Sequence, residues 1–356
     1  MKKISLLIIT SGVLFSMGCK KEPEQPATTT TPSADVKTEV LAGLSLNVIQ
    51  ATYNDLSAKA NQLYTDVQLF DTATTDANLI TCKQNWRDCR AAWEQSEAFL
   101  FGPVESGDFD PHLDTWPVNY TDMDSLLSSA AVFTDPYINS LQDALRGFHP
   151  MEYLLFGTAG NKTAAEFTAR EKQYLTALAS NVKTLTFQVA QDWNPSLTGN
   201  YSNQFVTAGQ SGSVYATQRA AFEEVVNAMA DICNEVANSK IQGPFAAHDA
   251  SLEESPFSFN SITDFTNNIR SAQNVYLGKY STDGKGLEDF VRANNLSLDG
   301  TIKAKFNSAI AALNNITVPF GQAITTQPVQ ITNAQNAIND LKTTLETDLL
   351  LYVQTY

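Results

Sequence analysis

The chain has 356 residues, with 38 Asp plus Glu against 23 Lys plus Arg, three histidines and a formal net charge of −15. That excess of acid argues against nucleic acid or anionic lipid as a partner and suits a solvated protein or one that attracts cations. The length exceeds what one hydrophobic core usually supports, so about two domains are expected.

The chain opens with Lys2 and Lys3, continues in the apolar run Ile4 to Phe15 and reaches Ser16-Met17-Gly18-Cys19. A basic start and a short apolar stretch make residues 1–18 a secretory signal peptide, too short to span a bilayer as a helix. The Gly-Cys end resembles a bacterial lipoprotein cleavage site, with Cys19 as the lipidated first residue of the mature chain. Ser16 departs from the leucine usual three residues before that cysteine. Residues 19–35 then combine the lipidated Cys with a disordered tether, polar and rich in Thr, Pro and Glu. The expected location is the bacterial cell envelope, at the outer membrane, with attachment through Cys19.

Beyond the tether the apolar periods are helical. Leu46, Ile49, Tyr53, Leu56, Ala60, Leu63, Val67 and Phe70 step by three and four. A second stripe runs from Leu79 through Cys82, Trp86, Cys89 and Trp93 to Leu100, a third from Ile138 to Phe156, and a fourth from Leu175 to Trp193. The Gly, Ser and Asn-rich stretch Thr198 to Ser213 is the expected linker. A second set follows: Tyr215 to Val236, a helix opened by Ser261 and Asp264 as a capping box, Ile302 to Ile316, and Ile331 to Tyr352. The fold class is all-α, with two packed four-helix up-and-down bundles over residues 36–197 and 212–356. Cys82 and Cys89 are two turns apart, about 10.5 Å by helical rise, beyond disulfide reach. They are expected as buried thiols, with pairing of either to Cys233 left open.

The chemistry concentrates in Gly147-Phe148-His149-Pro150-Met151-Glu152. Glu152 takes the seam position between Phe148 and Leu155, and His149 precedes it at i,i+3, so both polar side chains are expected to point inward. Burying such groups is costly unless they are paired, hydrogen-bonded or bound to a metal. Pro150 is expected to kink the helix beside the histidine. The pair matches, in reversed order, the Glu-x-x-His ligands of carboxylate-bridged bundles; a satisfied His-to-Glu contact without a ligand is the plainer explanation of the spacing. Two ligands do not complete a metal site. Glu97, which borders the second seam, is the favoured third, and Asp114 is either an outer ligand or a helix cap. Glu94 reads as a solvated helix acid and His112 as an exposed residue.

Gly-x-His-x-x-Glu followed by Tyr153-Leu154-Leu155-Phe156-Gly157 resembles the signature of the imelysin-like proteins. The run Trp93-Glu94-Gln95-Ser96-Glu97, the segment Asp114-Thr115-Trp116-Pro117 and the stretch Glu254 to Ser261 resemble further blocks of that family. The resemblance implies a pair of four-helix bundles in a bacterial envelope protein, classed with metallopeptidases and linked to iron uptake. It also implies a cleft, with Gly147, Asp114, Glu254, Ser258 and Asn260 as its candidate lining.

Three functions are open. In the first, His149, Glu152 and Glu97 hold a divalent or ferric metal ion for uptake, iron favoured over zinc, with other envelope proteins as partners and no nucleic acid. Carboxylate and imidazole suit iron without choosing among divalent metals. The second is metallopeptidase activity, which asks for a metal-bound water and a base, as in His-Glu-x-x-His. That motif is lacking, and if His149 and Glu152 are both ligands neither is free to act as the base. The third is a non-catalytic module that binds a peptide or glycan, with the His/Glu pair structural; no repeated aromatic platform supports it.

Overall fold

Apolar residues recurring every three or four positions commit a chain to helices that bury one face. The computed structural model of the protein, which describes residues 34–356, follows that rule: among the described residues there is no strand, and the one isolated bridge joins Lys279 to Asp283. The expected signal peptide, Cys19 and nearly all of the expected tether lie outside the described residues. Ala34 and Asp35, assigned to that tether from sequence, instead open the first helix. No described helix is long and apolar enough to cross a membrane.

Helix α1 (Ala34–Gly43) passes through a π-helical turn, Leu44–Ile49, into α2 (Gln50–Thr72). The wider turn resets the register of the buried stripe. Tyr53, Leu56, Ala60, Leu63, Val67 and Phe70 are buried as expected, while Leu46, inside the turn, is 51% exposed. Helix α3 (Asp76–Glu94) is capped by Thr75, whose side chain accepts from the Asn78 N–H. It buries Leu79, Cys82, Trp86, Cys89 and Trp93, then gives way to a 3-10 turn, Glu97–Phe99, so Leu100 lies beyond the helix. Cys82, Cys89 and Cys233 are all buried and free, so the pairing left open for Cys233 is not made.

The third expected helix is broken. Asp135–Asn139 and a 3-10 turn, Asp143–Leu145, precede Gly147, which has φ of +84°. A Cβ at that position would lie 2.2 Å from the Leu113 carbonyl oxygen, so both the backbone angle and the close approach require glycine. Helix α4 (Phe148–Phe156) starts immediately after it. Pro150 therefore sits in a first turn, where its missing N–H would have had no partner. It starts a helix rather than kinking one.

Helix α5 (Ala169–Asp192) is opened by a capping box of Thr168 and Glu171. In this half α2 packs on α3 and α5, and α4 packs on the same two helices. The other half contains α6 (Gln218–Glu235), α7 (Ser261–Leu277), α8 (Leu296–Asn314) and α9 (Pro328–Thr344). Each packs on two of the others, in the cyclic order α6, α7, α8, α9. Thr198–Ser213 carries a short helix of its own, Tyr201–Val206, and Phe205 from it stacks against Phe101 and meets Trp193 edge-on. The two sets meet where α3 and the Glu97–Phe99 turn pack on α6 and α7, all within one compact unit. The candidate site lies at that seam.

Candidate functional site

Arg90 falls in the inward stripe of α3, four residues after Trp86 and three before Trp93, and is fully buried. Its guanidinium reaches acids from four segments. Nη1 donates to Asp114 Oδ1, Nη2 donates to Glu254 Oε1 at 2.9 Å and pairs with Glu94, and Nε lies 3.7 Å from Asp264 Oδ1. Burial alone would weaken its hold on a proton; the surrounding acids, Asp114 first, reverse that and fix the positive charge. A second buried cation, Lys240, ends the π-turn Val236–Lys240 that follows α6 and donates to Glu254 Oε1 at 2.7 Å.

Asp114 is the hinge between this cluster and the sequence motif. Its Oδ2 accepts from the Trp93 indole N–H at 2.8 Å, and His149 Nε2 stands 2.9 Å from its Oδ1. Burial would raise its pKa, but Arg90 and then His149 hold it below the usual carboxylate range. One turn further along α4, Glu152 Oε1 accepts from the N–H groups of Phe257 (3.1 Å) and Ser258 (2.7 Å) and from the Ser258 hydroxyl (2.6 Å).

Those contacts leave two atoms over. His149 Nδ1 and Glu152 Oε2 are 3.6 Å apart, and neither has a hydrogen-bond partner. A carboxylate only accepts, so a neutral His149 must donate its Nε2–H to Asp114, and Nδ1 then presents a lone pair to the lone pairs of Oε2. Two facing acceptors require a proton or a cation between them. Burial opposes protonation of the ring, yet the Asp114 bond and the nearby Glu152 outweigh it and raise its pKa. The space beside the pair is walled by Trp116, Tyr120, Glu253, Pro256 and Phe257; its ≈ 10 Å³ holds about one water or one ion.

The charge balance of the seam is lopsided. Glu94, Glu97, Asp114, Glu152, Glu253, Glu254 and Asp264 are seven buried carboxylates, facing Arg90, Lys240, the half-buried Arg87, which acts on Glu152 and Asp264, and, when protonated, His149. Burial drives Glu94 and Glu97 well above the usual range, and it is the main cause lifting Glu253 and Asp264 to about 7. An excess of this size is met by protons or by a bound cation.

The structure brings His149, Glu152, Asp114, Glu254 and Ser258 into one network, with Gly147 as the residue that starts α4. Glu97 stands apart from the His149/Glu152 pair. It groups with Glu94 and Asp114, one oxygen of each lying within 4.8 Å of the others. Asn260 donates to Asp264 Oδ1 at 2.6 Å. Glu94 is a fully buried acid, not a solvated one, because α7 covers it and the Asn268 amide donates to it. Asp114 ends the short helix Phe109–Asp114 instead of capping one. Ser261 and Asp264 make no capping box: Asn260 takes the cap position, Ser261 donates to Glu253 at 2.9 Å, and Asp264 accepts from the Ser255 hydroxyl at 2.7 Å. His112 is half-buried, 3.8 Å from Asp143. Arg90 and Lys240 were missed from sequence. Arg90 had a signal, a cation in an apolar stripe four residues before an acid; Lys240 owes its position to a π-turn that no periodicity announces.

A family model described as Imelysin, Peptidase_M75, matches residues 49–347. Iron-regulated protein A of Synechococcus elongatus is 32% identical over 325 residues, covering 90% of this chain and 87% of its own. Among solved structures, an iron-regulated protein A precursor from Parabacteroides distasonis aligns with a TM-score of 0.83 at 26% identity, over 92% of this chain and 96% of that one. An imelysin-like protein from Psychrobacter arcticum aligns with a TM-score of 0.74 at 11% identity, over 91% and 97%, a likeness of fold alone.

Arg90→Met should cost roughly 3–5 kcal/mol at pH 8, because it leaves buried acids without their counter-charge. The loss should shrink at pH 5. Glu253 and Asp264 have pKa values of about 7 in the fold, against about 4 unfolded. The fold thus holds extra protons between those values, and without metal its stability falls as pH rises through that window. Urea denaturation of chelator-treated protein at both pH values checks this; equal losses, or a variant as stable as wild type, would contradict it.

Proposed function

The chain belongs to the imelysin family, and on that premise we propose that it is an envelope lipoprotein that binds a metal ion, iron favoured, at His149 and Glu152 for uptake. The observation that carries the reading is the pair of facing, unpartnered acceptors, His149 Nδ1 and Glu152 Oε2, 3.6 Å apart beside room for about one ion. Two ligand atoms about 2.1 Å from one metal can stand up to about 4.2 Å apart, so this spacing suits an ion held between them.

The surrounding residues support the reading by what they do to the two ligands. Asp114 accepts the Nε2–H of a neutral His149 and so turns Nδ1 into a ligand lone pair, the usual role of a carboxylate behind a metal-binding histidine. Three donors from Phe257 and Ser258 hold one oxygen of Glu152 and aim the other at the cavity. The remaining buried acids, which burial keeps protonated more readily than usual, can exchange those protons for a cation, which favours a cation over a neutral ligand. Among the metals these ligands accept, the choice of iron rests on a relative named for regulation by iron. Proteolysis, which the family description suggests, has less support here, since the cavity is the size of an ion and not of a peptide.

Protein purified without a chelating tag and loaded with ferrous ion under anoxia should retain about one iron per chain and melt at a higher temperature than the metal-free form. Glu152→Gln, which keeps shape and removes the charge, should stay folded and lose both the iron and the shift. Wild type that retains no iron, zinc or manganese and melts at one temperature throughout would contradict the proposal. The lipoprotein part has its own check: Cys19→Ser should move the protein from the membrane fraction to the soluble one, and an unchanged distribution would refute the anchor.

A further inference from the structure

A groove of ≈ 550 Å³ opens between the Glu97 to Glu105 segment and α6. Six of its lining residues are acids, Glu97, Glu105, Glu223, Glu224, Asp231 and Glu235, and none is a lysine, arginine or histidine. Four of them repeat along one face of α6, and Asp231 and Glu235 form a like-charge i,i+4 pair, an arrangement that weakens a helix. Of these acids Glu224 accepts from the Tyr215 hydroxyl, and Glu223 and Glu235 each lie 3.8 Å from a cation, Arg219 and Lys240; Asp231 has no such partner among the described residues.

At the inner end stands Glu97. It is 6% exposed, lines the groove, and its Oε1 has no hydrogen-bond partner. The turn that carries it is pinned to α7, where the Ala98 N–H donates to the Ser271 hydroxyl at 2.9 Å. Behind Glu97, oxygens of Glu94 and Asp114 lie within 4.8 Å, and Asp114 contacts His149 at 2.9 Å. Acids thus run from the groove as far as Asp114, with two buried cations set among them, Lys240 at 3.8 Å from Glu235 and Arg90 paired with Glu94 and Asp114.

We propose that this groove is the vestibule of the metal site: it gathers hydrated metal cations, hands them past Glu97 toward Asp114 and His149, and turns away anionic chelates of the same metal. The inference rests on the metal-binding reading above. A cleft lined by one sign of charge raises the local concentration of counter-ions and their rate of association, an effect that salt suppresses. Inside, carboxylate oxygens replace the waters that the ion sheds.

The test is anoxic stopped-flow mixing with ferrous ion, read by intrinsic tryptophan fluorescence, to which Trp93, whose indole donates to Asp114, and Trp116, which walls the cavity, both contribute. The triple variant Glu105→Gln/Glu223→Gln/Asp231→Asn should associate about tenfold more slowly than wild type at low ionic strength, converge with it at about 0.5 M salt, and dissociate at the wild-type rate. Iron offered as its anionic citrate complex should associate far more slowly than the aquo ion with wild type. A variant that associates at the wild-type rate at low salt overturns the vestibule and leaves the metal site standing. A deficit of the same size at high salt also overturns it, since that would be structural damage. Wild type with no saturable quenching and no retained iron overturns the metal reading, and the vestibule with it.

Discussion

The guanidinium of Arg90 is the contact on which the seam depends. A fully buried arginine must find acids for its charge and donors or destabilise the fold by several kcal/mol, and Arg90 finds hydrogen bonds on Asp114 and Glu254 and ion pairs with Glu94 and Asp264. Those acids come from both halves of the chain, so one charge fixes how the two helix sets meet. It also fixes Asp114, and through Asp114 the ring of His149, whose second nitrogen then faces Glu152. Geometry at the motif is inherited from a residue sixty positions away that is not part of it.

Much of the fold was legible because burial and helical period are the same statement. The stripes of α2, α3 and α5 are buried at nearly every expected position. The exceptions have local causes. A π-turn moved Leu46 into solvent, and the left-handed backbone of Gly147 split the third expected helix. The apolar stepping from Ile138 to Phe156 is real, but it belongs to three short elements. Period alone cannot see a glycine chosen for a close approach to the Leu113 carbonyl.

The site was half legible for a related reason. His149 and Glu152 announce themselves as polar residues on an apolar face. Of their supports, Arg90 shows itself as a cation inside an apolar stripe, but Lys240 and Glu94 look like ordinary surface charges until another segment covers them. Glu94 reads as solvated in the sequence because nothing along α3 reveals that α7 will lie over it. Charges that become buried only through contacts distant in sequence are invisible to any local reading, and here they make up most of the electrostatics.

A seam with seven buried acids and few cations takes up protons or a cation, and His149 and Glu152 are the proposed ligands of that cation. Crystals grown with ferrous ion and measured at the iron absorption edge test this most directly. The account predicts an anomalous peak between His149 Nδ1 and Glu152 Oε2. A map with no peak there, or with iron elsewhere and an ordinary water or hydrogen bond joining the two side chains, would contradict it.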